Sequence, residues 1–432
     1  MKKIQLGVSK KDITPKIGCR LYGYRPNFYS EGLHDELEAV AFVFEKDGLK
    51  CALISATVVA INESICDIIK KEIFEKTGIL PENIMICATH THTGPATTGT
   101  DDSGWGGVDR EYVDSILIPR IAEAAAEANN KLVPVTMGYA EGESFVGINR
   151  REFEGATVKL GQRPWGSFNP KMTVISFKGE DGAPVANLIH YGCHPTAGGH
   201  ILEISRDWPG VMTDRLEEIS GGITAFINGP EGDVGPRLTN GETVGHNIKY
   251  IEELGAVAAA DAVRIYKTIR SYNDADLSTV SDKIKLPVKP RMALDEAKAK
   301  LKEFEEKFAN YNIGKLMTDF CKKTIKSYED GYKDIQFEEN ASTAIRIGDI
   351  VLAGFEFEMF SEIGLRIQTS FKDRLILPVI NVNGSRAYFP TEGDLPYGGY
   401  EVNHYKYNKI QPFTDNGDYE LIKEALRILE NI

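Results

Sequence analysis

The chain has 432 residues, of which 42% are hydrophobic and 26% charged, the composition of a globular protein able to bury a sizeable core. Disorder and a collagen-like chain are excluded, and the length admits two or three domains or one large α/β unit. With 63 acidic against 50 basic residues and a formal charge of -13, the chain has no general attraction for phosphate backbones or anionic membranes, so nucleic acid is not an expected partner.

At the N-terminus the apolar residues give way to Ser9-Lys10-Lys11-Asp12 before a signal-peptide stretch forms, and no later apolar run reaches transmembrane length. A cytoplasmic protein without a membrane anchor is expected. Cys19, Cys51, Cys66, Cys87, Cys193 and Cys321 are scattered without a CxxC pair and read as reduced, packed thiols.

Alternation over Glu38–Phe44 and the mostly apolar run Leu49–Ser55 flank Lys46-Asp47-Gly48, which predicts a hairpin. Asn62 is placed to cap a helix with apolar Ile65, Ile68, Ile69 and Ile73, stopped by Gly78 and Pro81. The strand Ile84–Ala88 follows, completing a βαβ crossover, and ligands gather beyond the carboxyl ends of strands in such sheets. Immediately beyond it stands Thr89-His90-Thr91-His92-Thr93-Gly94-Pro95.

The Gly-, Thr- and Asp-rich stretch from Pro95 to Val108 is a candidate pocket wall, and a helix is expected from Asp109 to Lys131 with a bend at Pro119. Strands are predicted at Val133–Tyr139, Met172–Phe177, Val185–His190 and Ile223–Ile227, with helices at Trp208–Glu218 and His246–Ile269. Polar Ser271–Ser281 is a candidate boundary. Residues 291–334 read as a charged helical hairpin, interrupted near Tyr311-Asn312-Ile313-Gly314, with a solvated face carrying i,i+4 ion pairs. Strands resume at Ser342–Ile347 and Ile350–Ala353, then come a helix through Ile363, a strand Leu375–Ile380 and a terminal helix from Tyr419. Pro378 argues for a sheet edge. The alternation makes the fold class α/β.

The chain contains no GxxxxGK[ST], GxSxG, HExxH or strand-linked GxGxxG, so nucleotide handling lacks support. Five of eight histidines fall in two places: His90 and His92, then His190, His194 and His200. Period-two geometry points His90 and His92 to one face at a strand's end, an arrangement suited to a metal and also to a hydrogen-bonded pair on a polar loop. His194, in His194-Pro195-Thr196, ends a second apolar strand, so two strands deliver imidazoles to one rim. His190 reads as a packed strand residue and His200 as either. Imidazole and carboxylate donors suit zinc, which in a catalytic site keeps one position open.

Thr89-His90-Thr91-His92-Thr93-Gly94-Pro95, His194-Pro195-Thr196 and Gly232-Asp233-Val234-Gly235-Pro236, in this order, resemble the neutral/alkaline ceramidase catalytic domain. Gly7–Pro15, Gly23-Tyr24 and Gly32-Leu33-His34-Asp35 resemble its opening segments, and Gly354–Glu358, Ala387-Tyr388 and Tyr400 its later ones. The resemblance implies mixed β-sheets covered by helices in one large catalytic domain over residues 1–432. It implies a zinc amidase whose metal is held by His90, His194, Glu358 and Tyr388. Glu356 and Glu362 compete with Glu358, which fits the family's register best. His92 is then expected beside the metal as a proton shuttle. Arg150 would hold a substrate oxygen, Tyr400 would bond the oxyanion, and Asp233 and Gly235 would lie at the substrate.

Two departures bear on this. Gly235 stands where the family carries a serine regarded as a nucleophile, so a covalent serine route there is excluded and attack by metal-bound hydroxide is the expected route. Family members are secreted or membrane-anchored and carry an immunoglobulin-like C-terminal domain, which this chain, ending in a helix at Ile432, is expected to lack. A hydrolase of a small soluble N-acyl substrate is therefore the leading expectation. A metal-dependent lyase or glycosidase-like enzyme on a uronate-containing carbohydrate is the second, and a degenerate metal- or ligand-binding member the third.

Overall fold

A computed structural model describes residues 2–99, 106–308 and 312–432. The middle of the predicted 95–108 wall and residue 311 of the predicted hairpin interruption lie outside these ranges. Strands β1 (Gln5–Asp12), β2 (Glu38–Lys46) and β3 (Leu49–Ala56) are antiparallel neighbours. Asp47 and Gly48 join β2 to β3 with φ of 49° and 91°, the left-handed pair that a two-residue hairpin turn requires. Helix α1 (Glu63–Thr77) begins after Asn62 and ends on left-handed Gly78, whose N–H reaches the Phe74 carbonyl. The Asn62 side chain does not cap it. Its amide instead donates to the Gly99 carbonyl at 3.1 Å and accepts from Thr98 Oγ1 at 2.8 Å. Ile65, Ile69 and Ile73 form the buried face, four residues apart, while Ile68 falls beside it and is 41% exposed.

Strand β4 (Ile84–Ala88) lies parallel to β3, as a crossover demands. The next helix starts at Arg110, capped by Asp109, and passes through a wide π turn over Val113–Leu117 before α2 (Ile118–Asn130). The turn falls just ahead of Pro119, which has no N–H to donate, and shifts the bonding ladder there. Then follow β5 (Val133–Glu143), β6 (Lys171–Gly179), β7 (Pro184–Tyr191), α3 (Trp208–Ser220), β8 (Ile223–Asn228) and α4 (Ile248–Tyr266). These strands make one eight-stranded mixed sheet in the order β8-β7-β6-β5-β1-β2-β3-β4. Only its outermost pairs, β7 with β8 and β3 with β4, are parallel, each joined through a helix.

Those two ends meet. Asn228 Nδ2 donates to the Thr89 carbonyl at 3.1 Å and Ser55 Oγ to the Phe226 carbonyl at 2.6 Å, so the loops beyond β4 and β7 share one rim.

Polar 271–281 is not a break. Asp274 accepts from Ile4 N at 3.0 Å and from Lys46 Nζ at 3.1 Å, and β9 (Leu277–Pro287) starts inside the segment. Helices α5 (Leu294–Lys307) and α6 (Asn312–Glu329) form the predicted hairpin, with ion pairs such as Lys326–Asp330 at 2.8 Å on its exposed face. The chain continues through β10 (Phe337–Ile347), β11 (Ile350–Phe355), α7 (Ser361–Thr369), β12 (Leu375–Val379), α8 (Tyr400–Tyr407) and α9 (Gly417–Leu429). A second sheet has the order β9-β10-β11-β12, with Pro378 on edge strand β12. Both sheets contribute to one apolar cluster that includes Phe42, Phe44, Met85, Ile175, Leu352 and Val379. After β12 the chain is stitched to β4: Asn383 N donates to the Ile86 carbonyl at 2.8 Å, and its side-chain oxygen accepts from Ile86 N at 2.9 Å.

Gly7, central in β1, lies under α2, where an added Cβ would stand 1.8 Å from the Ala128 carbonyl oxygen. Backbone on both sides cannot rotate away. Gly7→Ala is expected to lower the unfolding free energy by about 2 kcal/mol or more, read as a reduced urea midpoint; an unchanged midpoint would contradict this packing.

Candidate metal centre and active site

Residues Glu358–Met359 form a short strand that pairs in parallel with Tyr388–Phe389, Glu358 directly opposite Tyr388. Glu358 thus precedes α7 instead of opening it. Glu356 turns away to accept from Arg386 Nε at 3.1 Å, and Glu362 is exposed on the first turn of α7. Of the three competing acids only Glu358 reaches the histidines, its Oε2 lying 3.4 Å from His90 Nε2 and 3.5 Å from His194 Nε2.

Each imidazole is aimed from behind. His90 Nδ1 donates to the Val59 carbonyl at 2.7 Å, and His194 Nδ1 lies 3.0 and 3.1 Å from the Glu231 and Val234 carbonyls. Anchoring one nitrogen to a carbonyl fixes the tautomer that leaves the other as a bare acceptor, the outer arrangement of metal-ligating histidines. His90 has φ of 75°, a conformation rare outside glycine that surrounding contacts must hold. Tyr388 Oη is 3.4 Å from His194 Nε2.

His90 Nε2, Glu358 Oε2 and Glu231 Oε1 are buried without a hydrogen-bond partner. One donor atom from each of His90, His194, Glu231 and Glu358 falls within a group spanning 4.8 Å. Donors 2.0–2.1 Å from a tetrahedral ion stand about 3.3 Å apart, so the spacing and the bare atoms fit a bound cation. Burial lowers the His90 pKa, but Glu358 and Glu231 outweigh it and raise the group to about 9. Burial favours neutral Glu358, yet His90 and His194 hold it well below the usual carboxylate range. Glu231 is pushed up to about 8, by burial first.

His92 stands beside this group, its ring centroid 4.8 Å from that of His90 and 5.9 Å from that of His194. Both its nitrogens lack partners, and burial together with the neighbouring imidazoles holds it well below its ordinary pKa. It is therefore a neutral base at neutral pH. Gly23 is obligatory against it: an added Cβ would lie 2.4 Å from His92 Nδ1. Arg150 Nε donates to Glu401 Oε1 at 2.9 Å, while its Nη2 has no hydrogen-bond partner and its guanidinium lies 5.3 Å from the Tyr388 ring centroid. Arg151 binds the other oxygen of Glu401 at 2.8 Å. Helix α8 carries Glu401 and also Tyr400, whose ring is 5.7 Å from that of Tyr388. Two cavities of about 500 and 510 Å³ have Gly23, His92, Tyr388 and Tyr400 as a common wall.

Seven expected site residues therefore come together: His90, His92, Arg150, His194, Glu358, Tyr388 and Tyr400. Asp233 and Gly235 do not line either cavity, which corrects the substrate contact expected of them. The Asp233 carboxylate is consumed by Ser361 N at 2.7 Å, Ser361 Oγ at 3.1 Å and Asn149 Nδ2 at 3.0 Å. It ties the Glu358 segment to the Arg150 segment. Gly235 packs on Thr243, 2.7 Å from its Cβ to an added one. His190 is a packed residue bonded to the Pro378 carbonyl at 2.8 Å, and the His200 ring lies 4.5 Å from that of Tyr24, tilted by 50°. Glu231 and His404 are the unannounced members. The one sequence sign of Glu231 is its place two residues before Asp233.

Residues 4–250 match the family model described as neutral/alkaline non-lysosomal ceramidase, N-terminal. The chain belongs to this ceramidase family. Neutral ceramidase A of Dictyostelium discoideum is 28% identical over 264 residues, 55% of this chain and 36% of that protein. Neutral ceramidase B of the same organism is 26% identical over 263 residues, with the same coverage of 55% and 36%. The matches thus span little more than a third of these relatives. The crystal structure of neutral ceramidase from Pseudomonas aeruginosa superimposes with a TM-score of 0.76 at 18% identity, covering 99% of this chain and 73% of that one. A ceramidase complexed with C2 gives 0.74 at 18% identity, covering 98% and 74%. The ceramidase fold is therefore present across the α/β chain.

Glu401 is fully buried between two buried arginines. Glu401→Leu removes the paired carboxylate of Arg150 and leaves Arg151 with Asp394 alone at 3.2 Å, and is expected to cost about 3–5 kcal/mol of stability in chemical denaturation; a loss below about 1 kcal/mol would show that neither arginine depends on it.

Proposed function

We propose that this ceramidase-family chain is a metal-dependent hydrolase, with zinc as its ion, that cleaves the amide bond of a small soluble N-acyl substrate. One observation carries the reading: the inward nitrogens of His90 and His194 converge with Glu358 and Tyr388 at the edge of a cavity. These four residues would hold the ion. When bound, such an ion polarises a carbonyl and lowers the pKa of a coordinated water to about 7.

The remaining residues divide the work on the substrate. His92, neutral and unpartnered at both nitrogens, accepts a proton from the attacking water and returns it to the leaving nitrogen. Arg150 directs its bare Nη2 to the substrate carbonyl oxygen, and the Tyr400 hydroxyl donates to the same oxygen as charge develops. Gly235 offers no hydroxyl, so a covalent intermediate at that position is excluded and the attacking group in this reading is water. The names of the curated relatives, neutral ceramidases, support amide cleavage.

Cavity size supports a compact substrate, because about 500 and 510 Å³ are volumes typical of small-molecule sites. One arm is walled by Tyr22, Asn62, Thr98, Ser385 and His404, the other by Thr196, His200, Glu242 and Thr243. Val59, Ala60, Ala387, Leu160 and Val244 are the aliphatic side chains among the described lining residues, beside the rings of Tyr22, Tyr24, Tyr388 and Tyr400. Among the described residues no helix is long and apolar enough to cross a membrane. The bare Arg150 nitrogen also suits a uronate carboxylate, which favours a lyase as the second reading. Elimination leaves an unsaturated product absorbing in the ultraviolet, whereas an amidase releases a free amine.

Wild-type protein is expected to bind about one equivalent of zinc, and Glu358→Ala and His194→Ala to lose it in metal analysis; full occupancy in both variants would overturn the ligand set. His92→Ala is expected to keep its metal while kcat for amine release falls about 10²–10⁴-fold. Turnover at the wild-type rate would remove His92 from the proton path, and absence of metal-dependent turnover on N-acyl and glycan panels would favour a non-catalytic binder.

A further inference from the structure

Glu231 has no part in the reaction described, yet it lies deepest in the centre. Its side chain is fully buried. Asn228 Nδ2 donates to Oε2, but Oε1 has no hydrogen-bond partner. That oxygen lies 3.7 Å from His90 Nε2, which is equally bare, and Oε2 lies 3.6 Å from His194 Nδ1. The local backbone needs neither oxygen: Gly232 N bonds the Met359 carbonyl at 3.0 Å and Val234 N the Glu231 carbonyl at 2.7 Å. A buried carboxylate oxygen facing a bare imidazole nitrogen calls for a cation between them, because an uncompensated buried charge is strongly disfavoured.

We propose that Glu231 is a fifth ligand of the ion, beside His90, His194, Glu358 and Tyr388, so that the centre also accepts a six-coordinate, oxygen-preferring ion such as manganese(II). The inference rests on the metal reading above and extends it. Two neutral imidazoles and two carboxylates balance a divalent charge without ionising Tyr388. They also supply more donors than the four-coordinate arrangement that zinc favours, and the added donor is a hard oxygen, the type that suits manganese. Glu231 acts on the site twice, since its carbonyl also orients the His194 ring.

The test is equilibrium binding of Zn²⁺ and of Mn²⁺ to metal-stripped protein, with the Mn²⁺ electron paramagnetic resonance spectrum as a second readout. Wild type, Glu231→Leu, Glu231→Gln and Glu358→Ala are compared. Glu231→Gln keeps the volume and a polar contact for Asn228, so it guards against a folding defect in the leucine variant. The expected result for both Glu231 variants is Mn²⁺ affinity reduced about 100-fold against about 10-fold for Zn²⁺, within the range that metal-site polar partners control, together with an altered Mn²⁺ spectrum. If Glu358→Ala loses both ions while the Glu231 variants bind both as wild type does, the proposal fails and the four-ligand centre stands. If wild type binds neither ion, both readings fall.

Discussion

One side-chain amide holds the centre together. Asn228, the last residue of β8, donates to the carbonyl of Thr89, to that of Cys193 and to the Glu231 carboxylate, while its oxygen accepts from Cys193 N at 3.2 Å. Thr89 precedes His90 and Cys193 precedes His194. The residues that introduce both imidazoles are thus bonded to a single group at the meeting of the two sheet ends. Asn228 is fully buried, so these bonds have no water to compete with them. An eight-stranded sheet with two separate βαβ ends places its two histidine loops far apart along the strand order, and closure through Asn228 makes them adjacent. The parallel pairing of Glu358 with Tyr388, in a two-stranded sheet of its own, brings these two residues to the same place.

Burial of this many ionisable groups constrains the surroundings. Arg150 and Arg151 share the two oxygens of Glu401, which neutralises one charge and leaves one guanidinium nitrogen of Arg150 bare. Asp233 carries three bonds and no cation, and burial raises its pKa to about 7. The centre therefore separates polar groups whose hydrogen bonds are complete, which hold geometry, from those left incomplete, which face the cavities or one another. His90, His92, Glu231, Glu358 and Arg150 all belong to the second kind. Incomplete buried polar atoms are disfavoured unless something supplies the missing partner, and their concentration at one place marks the site without reference to any relative.

Much of this was legible in local patterns. The hairpin turn at Asp47-Gly48, the crossover into β4 and the histidines at its end follow from alternation, turn residues and the position of strand ends, all properties of a few consecutive residues. Pro378 on an edge strand is equally local. What escaped is set by contacts distant in sequence. Asn62 has the residue type of a cap, but Gly99 and Thr98 compete for its side chain, 37 and 36 residues away. Polar Ser271–Ser281 resembles a linker, yet Asp274 bonds Ile4, 270 residues away. Glu231 has no periodic signature because it sits in a turn, and its role depends on His90 across the sheet. Asp233 was placed at the substrate by its motif, whereas Ser361, 128 residues on, takes up its carboxylate.

Gly235 shows how a residue behind the cavities is fixed by packing. The position lacks space for a side chain, because Thr243 stands 2.7 Å from where a Cβ would be. Thr243 is itself held: its carbonyl accepts from Thr196 Oγ1 at 2.9 Å, and Gly245 N bonds the Thr196 carbonyl at 2.9 Å. Those bonds attach the 243–245 segment to His194-Pro195-Thr196, and Gly245 in turn lies so close to the Ala197 carbonyl that an added Cβ would be 1.7 Å from it. Restoring a serine at 235 would push on Thr243 and through it on the loop that carries His194. The absence of a side chain at 235 is therefore coupled to the position of the His194 loop.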